Sequence, residues 1–510
     1  MRASNTLLRE DRPALAGTPR RPRFAAGWDE LIPSWPLLAG LAMFGRLLAS
    51  RMALLNDPDT YLHIAAGRWI LAHRALPLHD PFSHSMPGAS WLPMEWLAQI
   101  ILAGVYDAFG WSGVILAAAA SVAVAIGLLM HFLLRRFEPL PALIATVAAG
   151  GLLLPHALAR PHVFALPLLV LWSGALLAAR DAGRRPPFGV LPAMVLWANL
   201  HGSFMFGLAL AAFLGGEAVL WPGGGRSRWV EGRLWGAFLL AAVVAALITP
   251  FAAAGLWQPI RLTRMPALQS TFSEWLSPDF QKSPALEMAI IGVLIVGFAT
   301  GTRLRATRLL LLAGLLHMTL QHVRHADLLA LVGPLAVAAP LGSRLAALTA
   351  QPEPSRLTRW LARPARPPGL AAAALTLALA AALAAPTALH PIVRHDDAVT
   401  PGAALAAARR LGLSGPVFNS ETFGGYLIFR GVPTFIDGRI EMYGNTFLAT
   451  DYAAERGDAV ALKQILARYH IAWALLASGS GAGTVIDHLP GWRLVYADKR
   501  AVIYRRSDPP

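Results

Sequence analysis

Long stretches of this chain carry no charge. Pro139 to Ala159, Pro161 to Ala179, Pro186 to Gly216, Leu234 to Ile260 and Gly369 to Val393 contain no Asp, Glu, Lys or Arg. A helix needs about 20 apolar residues to cross the hydrocarbon of a bilayer. A helix on a soluble protein keeps a polar face toward water, which runs of this length do not have. The pattern predicts spans near 33–54, 112–134, 139–157, 161–180, 188–200, 203–221, 234–250, 286–301, 308–322, 326–343 and 369–389, about eleven in all. Glu95 to Phe109 is also apolar but reaches only about 22 Å as a helix. It reads as an outer-leaflet or re-entrant helix.

The polar segments between and beyond the spans divide the chain. Residues 1–30 are Arg-rich and read as a cytoplasmic tail, because no short apolar core with a small-residue cleavage site follows the basic residues. Residues 31–390 form the transmembrane module, with two long outer loops over 56–94 and 251–284. Residues 391–510 have soluble composition. Val417 to Asn419, Thr434 to Asp437 and Ala472 to Ala477 read as strands. Helices are predicted from Gly424 to Phe429, over 445–456 and over 458–469. Trp492 to Ala497 and Ala501 to Arg505 read as a hairpin. Alternating strands and helices predict a small α/β domain.

Charge fixes the orientation. Only 14% of the 510 residues are charged, against about 25% in soluble proteins. The formal net charge of +15 lies in short Arg clusters between apolar runs: Arg135/Arg136, Arg180/Arg184/Arg185, Arg226/Arg228/Arg233, Arg303/Arg305/Arg308 and Arg344 to Arg366. Alternating spans put all of them on one side, and the positive side is cytoplasmic. The expected location is a bacterial inner (plasma) membrane, crossed many times, with the N-terminus cytoplasmic and the C-terminal domain periplasmic. No basic stripe with interleaved aromatics is present, so nucleic acid is not an expected partner. The chain has no cysteine, which excludes disulfides, thiolate metal sites and Cys nucleophiles.

Candidate chemistry gathers in the outer loops. Asn56-Asp57-Pro58-Asp59-Thr60-Tyr61-Leu62-His63 follows the first span at once. Carboxylates beside a membrane are costly unless paired with a cation, a metal or substrate. The plainer reading is a solvated loop in which Asp57 or Asp59 caps the next helix, with Asp59 well placed as N-cap. His79, Asp80, His84 and Glu95 lie in the same loop, and Arg160-Pro161-His162, Asn199-Leu200-His201 and His322-Val323-Arg324-His325 mark three further outer turns. Carboxylates and imidazoles at that depth can hold a divalent cation, Mg²⁺ or Mn²⁺, with Asp59, Glu95 and His162 as candidate ligands. Arg324 and Arg160 suit a phosphate.

Asp57-Pro58-Asp59-Thr60-Tyr61 with His63 resembles the first outer-loop motif of the GT-C superfamily of glycosyltransferases, which includes oligosaccharyltransferase catalytic subunits, protein O-mannosyltransferases and aminoarabinose transferases. Glu95-Trp96-Leu97 through Phe109-Gly110 to Arg135/Arg136 is similar to the segment that follows in the mannosyl- and aminoarabinose transferases. Arg160-Pro161-His162 falls where those families often place a second acidic motif, and His162 departs from it. Val417 to Tyr426, then Thr434 to Arg439, resembles the strand–Gly-turn–strand region of oligosaccharyltransferase C-terminal domains. Ser420-Glu421-Thr422 stands where those enzymes carry Trp-Trp-Asp, so a peptide sequon is not implied. The bland reading of this stretch is a tight turn at Gly424-Gly425 with an Asp437–Arg439 ion pair.

The resemblance implies a GT-C-like fold and an inverting transfer from a polyprenyl-phosphate-linked sugar donor on the non-cytoplasmic face. It implies a catalytic role for Asp59, with Asp57 as rival, phosphate binding by Arg324 and Arg160, and acceptor contacts from His63, Tyr61 and Glu421. Two other readings stay open. Gly- and Pro-interrupted spans such as 186–216 also fit a lipid or sugar transporter, and the same fold can serve a non-catalytic assembly protein.

Overall fold

A computed structural model describes residues 31–262, 264, 265, 273–349 and 355–507. The expected tail over 1–30 and part of the loop over 251–284 lie outside them. The helices of the first three quarters are α1 (Trp35–Ala49), α2 (Asp59–His73), α3 (Trp96–Leu133), α4 (Pro139–Leu153), α5 (Pro161–Asp181), α6 (Leu191–Leu200), α7 (Phe204–Leu220), α8 (Arg228–Ala246), α9 (Ala253–Leu262), α10 (Pro284–Thr300), α11 (Ala306–Gln321), α12 (Ala326–Thr349), α13 (Arg356–Ala362) and α14 (Leu370–Leu389). Pro139, Pro161 and Pro284 open three of them. There the fixed φ of proline suits a helix start, and the missing N–H has no intrahelical partner to lose.

Not every one of the expected eleven or so spans is matched by a helix of spanning length. Among the described residues, 6 helices are long and apolar enough to cross a membrane; Trp35–Ala49, Phe188–Leu200, Phe204–Leu220 and Pro284–Thr300 are apolar but shorter. The uncharged run over 186–216 is cut at His201, whose extended backbone ends α6 after 10 residues. Helix α3 takes in both the predicted span over 112–134 and the segment Glu95–Phe109 that precedes it. Gly110, at φ 59° and ψ −150°, turns the chain between the two arms. The arm before Gly110 packs along α2, and the arm after it packs against α1 and α5. This is a multi-pass membrane protein.

The remaining elements build an α/β unit: α15 (Gly402–Arg410), β1 (Val417–Asn419), α16 (Glu421–Phe429), α17 (Ile440–Glu455), α18 (Ala459–Arg468), β2 (Trp473–Ala477), α19 (Gly481–Ile486), β3 (Trp492–Ala497) and β4 (Ala501–Arg506). The sheet order is β1-β2-β4-β3. β1 runs parallel to β2, with Val417 opposite Trp473, and β2 pairs antiparallel with β4. The strand expected over Thr434–Asp437 is not in this sheet. Thr434 instead forms an isolated bridge with Ser83 of the first long loop.

That bridge belongs to a clamp between loop and α/β unit. Arg439 is buried between Asp437, at 2.7 Å, and Asp80, with the rings of Phe82 and Trp91 against its guanidinium at 5.1 and 5.0 Å. Trp91 Nε1 donates to Glu441 at 3.0 Å, and Tyr443 OH donates to Asp437 at 2.6 Å. Asp437 accepts from so many donors that its carboxyl stays below the usual range despite burial.

The two ends of the helical bundle differ in chemistry. At the end away from the α/β unit, Arg308 pairs with Asp181 at 2.7 Å and with Glu217 at 2.9 Å, Arg180 approaches Glu217 at 3.2 Å, and Arg226 pairs with Glu231 at 2.8 Å. The Arg clusters between apolar runs meet at this end.

Candidate active site

The site forms where the chain leaves α1. Thr60 Oγ1 donates to Ala159 O at 3.1 Å, and Ala159 N donates to Leu54 O at 2.7 Å. These bonds lay the turn before α5 across the start of α2 and bring Arg160 onto the two aspartates. Arg160 Nη2 reaches Asp59 Oδ2 at 2.6 Å, and Nη1 reaches Asp57 Oδ2 at 3.2 Å and also Glu274 Oε1. Asp57 Oδ1 accepts from Asp59 N at 2.8 Å. The capping role open to either aspartate therefore falls to Asp57, and Asp59 is left to pair with Arg160. A side chain on Gly438 would collide with Asp59 Oδ1, and one on Gly425 with Pro58 O. The α/β unit thus closes the site by backbone contact.

Burial raises the carboxyl of Asp59 to about 7, against the opposing pull of Arg160. Burial likewise raises Asp57. Glu274 is held below the ordinary range, chiefly by Arg160. Glu421, at the start of α16, lies well above its ordinary value through burial and the nearby charges of Asp59 and Asp57.

A second group stands beside the first. Glu95 lies between two imidazoles, with His63 Nε2 at 3.6 Å and His201 Nε2 at 3.3 Å. Burial raises Glu95 to about 8 and lowers His63 to about 3. Arg324 lies over the Trp275 ring at 4.5 Å. Among the described residues it has neither an ion pair nor a hydrogen bond, and the charges of Glu274 and Glu95 act on it from nearby. His322 Nδ1 bonds Trp275 O at 2.5 Å and Val323 N donates to Leu276 O at 3.0 Å, which ties the segment Ser273–Trp275 to the start of α12.

An apolar groove of about 1210 Å³ lies between the first turn of α3, α6 and α8, with Leu97, Val195, Leu240 and Val244 among its walls. It ends at Asn199, which accepts from Trp96 Nε1 at 3.0 Å and donates to Ile248 O at 2.9 Å. Glu95 and His201 are the chain neighbours of this polar end.

The structure sorts the residues expected from sequence. Asp57, Asp59 and Arg160 meet, Arg324 and Glu421 stand near them, and His63 turns to Glu95. Tyr61 does not face an acceptor cleft: it is 1% exposed, packed against Trp111, Tyr426 and Phe429, with its OH 2.9 Å from Thr400 Oγ1. The divalent cation expected on Asp59, Glu95 and His162 finds no ligand set. Asp59 is taken by Arg160 and Glu95 by two imidazoles, while His162 Nε2 donates to His156 O at 2.9 Å. Among the described residues no group of three His, Asp or Glu side chains can hold a metal ion. Glu274 was missed as chemistry. In sequence it is one residue of the outer loop over 251–284 with nothing beside it to mark it, because its partner Arg160 lies 114 positions away.

No family model and no curated protein matches the sequence. Solved structures do match. The archaeal oligosaccharyltransferase AglB from Archaeoglobus fulgidus, in complex with an inhibitory peptide and a dolichol-phosphate, superposes with a TM-score of 0.50 at 12% identity, over 89% of this chain and 70% of that one. The apo form of the Archaeoglobus fulgidus oligosaccharyltransferase gives 0.50 at 13% identity over the same shares. ArnT from Cupriavidus metallidurans in the apo state gives 0.47 at 14% identity, over 94% of this chain and 98% of that one. What these likenesses show is a shared fold: the chain folds like the Archaeoglobus fulgidus oligosaccharyltransferase.

Proposed function

We propose that this protein is an inverting glycosyltransferase that moves a sugar from a polyprenyl-phosphate-linked donor to an acceptor hydroxyl. The observation that carries the reading is Asp59, a buried carboxylate raised to about 7 at the bilayer edge. A general base works best when its pKa lies near the working pH. The unpaired guanidinium of Arg324 and the apolar groove ending beside Glu95 and His201 support a lipid donor, with the isoprenoid in the groove and its phosphate at the arginine.

In the reaction the acceptor oxygen attacks the anomeric carbon from the side opposite the phosphate. Asp59 takes the hydroxyl proton as the new C–O bond forms. The bond from C1 to the phosphate oxygen breaks, and the lipid phosphate leaves with the electron pair. Arg324 stabilises the charge that develops there. Arg160 holds the Asp59 carboxylate in position, and Glu421 lines the acceptor side. The segment around Glu274 covers the cleft, pinned at Arg160 on one flank and His322 on the other. The Arg clusters gathered at the far end of the bundle support an orientation with the site and the α/β unit outside the cytoplasm, in a bacterial inner membrane.

The test is transfer of labelled sugar from a polyprenyl-phosphate donor by the full-length protein in lipid nanodiscs. Wild type is expected to turn over, and Asp59→Asn, purified in equal yield, is expected not to. Retained turnover in that variant removes Asp59 from the chemistry. If alternating access of a central cavity to both sides is found with no sugar transfer, the transporter reading replaces this one.

A further inference from the structure

One guanidinium joins three carboxylates from two distant parts of the chain. Asp57 comes from the turn after α1, Asp59 from the first turn of α2, and Glu274 from the segment before α10. Arg160 itself is fixed at the entry to α5, with Pro161 next in sequence holding the helix start. A hard divalent cation selects converging oxygen ligands; here the centre between the carboxylates is filled by a guanidinium, and as they stand around it they form no group that could hold a metal ion.

We infer that Arg160 is the resident cation of this site, standing where a divalent metal ion would sit between Asp57, Asp59 and Glu274, and that it makes sugar transfer by this chain independent of metal. The inference rests on the transferase reading only for its last clause.

The remaining donors leave little for an ion to bind. Asp57 Oδ1 accepts from the backbone N–H of Asp59, and Asp59 Oδ1 is pressed against Gly438. The nearby imidazole of His162 has its Nε2 bonded to His156 O. The side chains of Asp57 and Asp59 are 5% and 15% exposed, so water has little access with which to solvate an incoming ion. A guanidinium presents its donors in a fixed plane and does not lose its charge at any working pH. It can therefore hold the three carboxylates in register as a metal would. It cannot polarise a phosphate as a Lewis acid or exchange ligands, which leaves Arg160 a positioning residue. Stabilisation of the leaving group then falls to Arg324.

Removing the guanidinium should turn the same carboxylates into a metal site. Three acidic groups left facing each other in a buried cleft repel, and a divalent ion is the ligand that relieves them. The experiment titrates Mn²⁺ into full-length protein in nanodiscs, reads the loss of the free-ion EPR signal and the thermal midpoint, and assays transfer with and without EDTA. Wild type is expected to take up no Mn²⁺ that Glu274→Gln removes, and to keep its transfer rate in EDTA. Arg160→Ala is expected to bind one Mn²⁺ per chain, at least about tenfold tighter than wild type, and to lose that binding when Glu274→Gln is added. Mn²⁺ uptake by wild type that depends on Glu274, or transfer abolished by EDTA and restored by Mn²⁺, overturns the inference. So does a folded Arg160→Ala protein that binds no Mn²⁺. If Arg160→Ala does not fold, the two wild-type measurements decide alone. If no sugar is transferred under any condition, the proposed function falls while the Mn²⁺ titrations still decide whether Arg160 fills the cation position.

Discussion

The two ends of the bundle both bury arginines against carboxylates, and they do it in opposite proportion. At the far end Arg180, Arg226 and Arg308 meet Asp181, Glu217 and Glu231 in near balance. At the site Arg160 pairs with Asp57, Asp59 and Glu274, and Arg324 acts on Glu274 from nearby, while Glu95 and Glu421 add further acids with no arginine bonded to them, five carboxylates to two guanidinia. A balanced buried network closes on itself and can only pin helices together. An unbalanced one retains capacity for something not yet present. The raised carboxyls of Asp59 and Glu421 register that imbalance, whose dominant cause is burial.

Substitutions at the two ends should separate the roles. The largest effect is expected for Asp59→Asn, a loss of about 10²- to 10⁴-fold in kcat, the usual range for a general base, with the thermal midpoint little changed. Glu217→Ala should do the reverse. Arg180 loses its carboxylate and Arg308 keeps only Asp181, a loss of up to about 3–5 kcal/mol of stability, read by denaturation in micelles, while transfer per folded molecule stays near wild type. A collapse of activity in Glu217→Ala at full folding would erase the distinction between the ends.

Smaller effects sharpen it further. Because Asp59 is raised from 3.8 to about 7, kcat/KM should fall about tenfold for each pH unit below that value as the base is protonated. No such limb is expected in any residual activity of Asp59→Asn. Glu274→Gln removes one carboxylate from Arg160 and loosens the covering segment. A hydrogen bond to a charged group contributes about 1.5–3 kcal/mol, so a rise of about tenfold or more in KM is expected, with kcat less affected.

Much of this was legible in the chain. Uncharged runs declared the membrane helices, and Asp57 and Asp59 declared themselves by sitting just past a span, where an unpaired carboxylate is costly. Three kinds of fact were hidden. The first is pairing at a distance: Glu274 finds Arg160, and Arg439 finds Asp80, 359 positions earlier. Composition cannot reveal such partners. The second is helix continuity. Gly110 looked like the edge of a span, but it joins two arms of one helix through a positive φ, and His201 divides a run that hydropathy reads as unbroken. The third is which of two neighbours does what. Asp57 and Asp59 are alike on paper, and only the turn geometry gives the backbone N–H to Asp57 and the shorter bond from Arg160 to Asp59. Tyr61 was misjudged for a similar reason: lying two positions past Asp59, it points into the aromatic core instead of the cleft.

The contact of Gly438 with Asp59 sets an order of events during synthesis. The aspartate leaves the ribosome early, and the backbone that closes over it is made about 380 residues later, at a few residues per second up to about twenty. Until that later segment folds and Arg439 reaches Asp80, Asp59 lies open to water and loses the burial that raises its carboxyl. On the proposed function, a chain stopped before Gly438 is expected to insert its helices and still transfer no sugar.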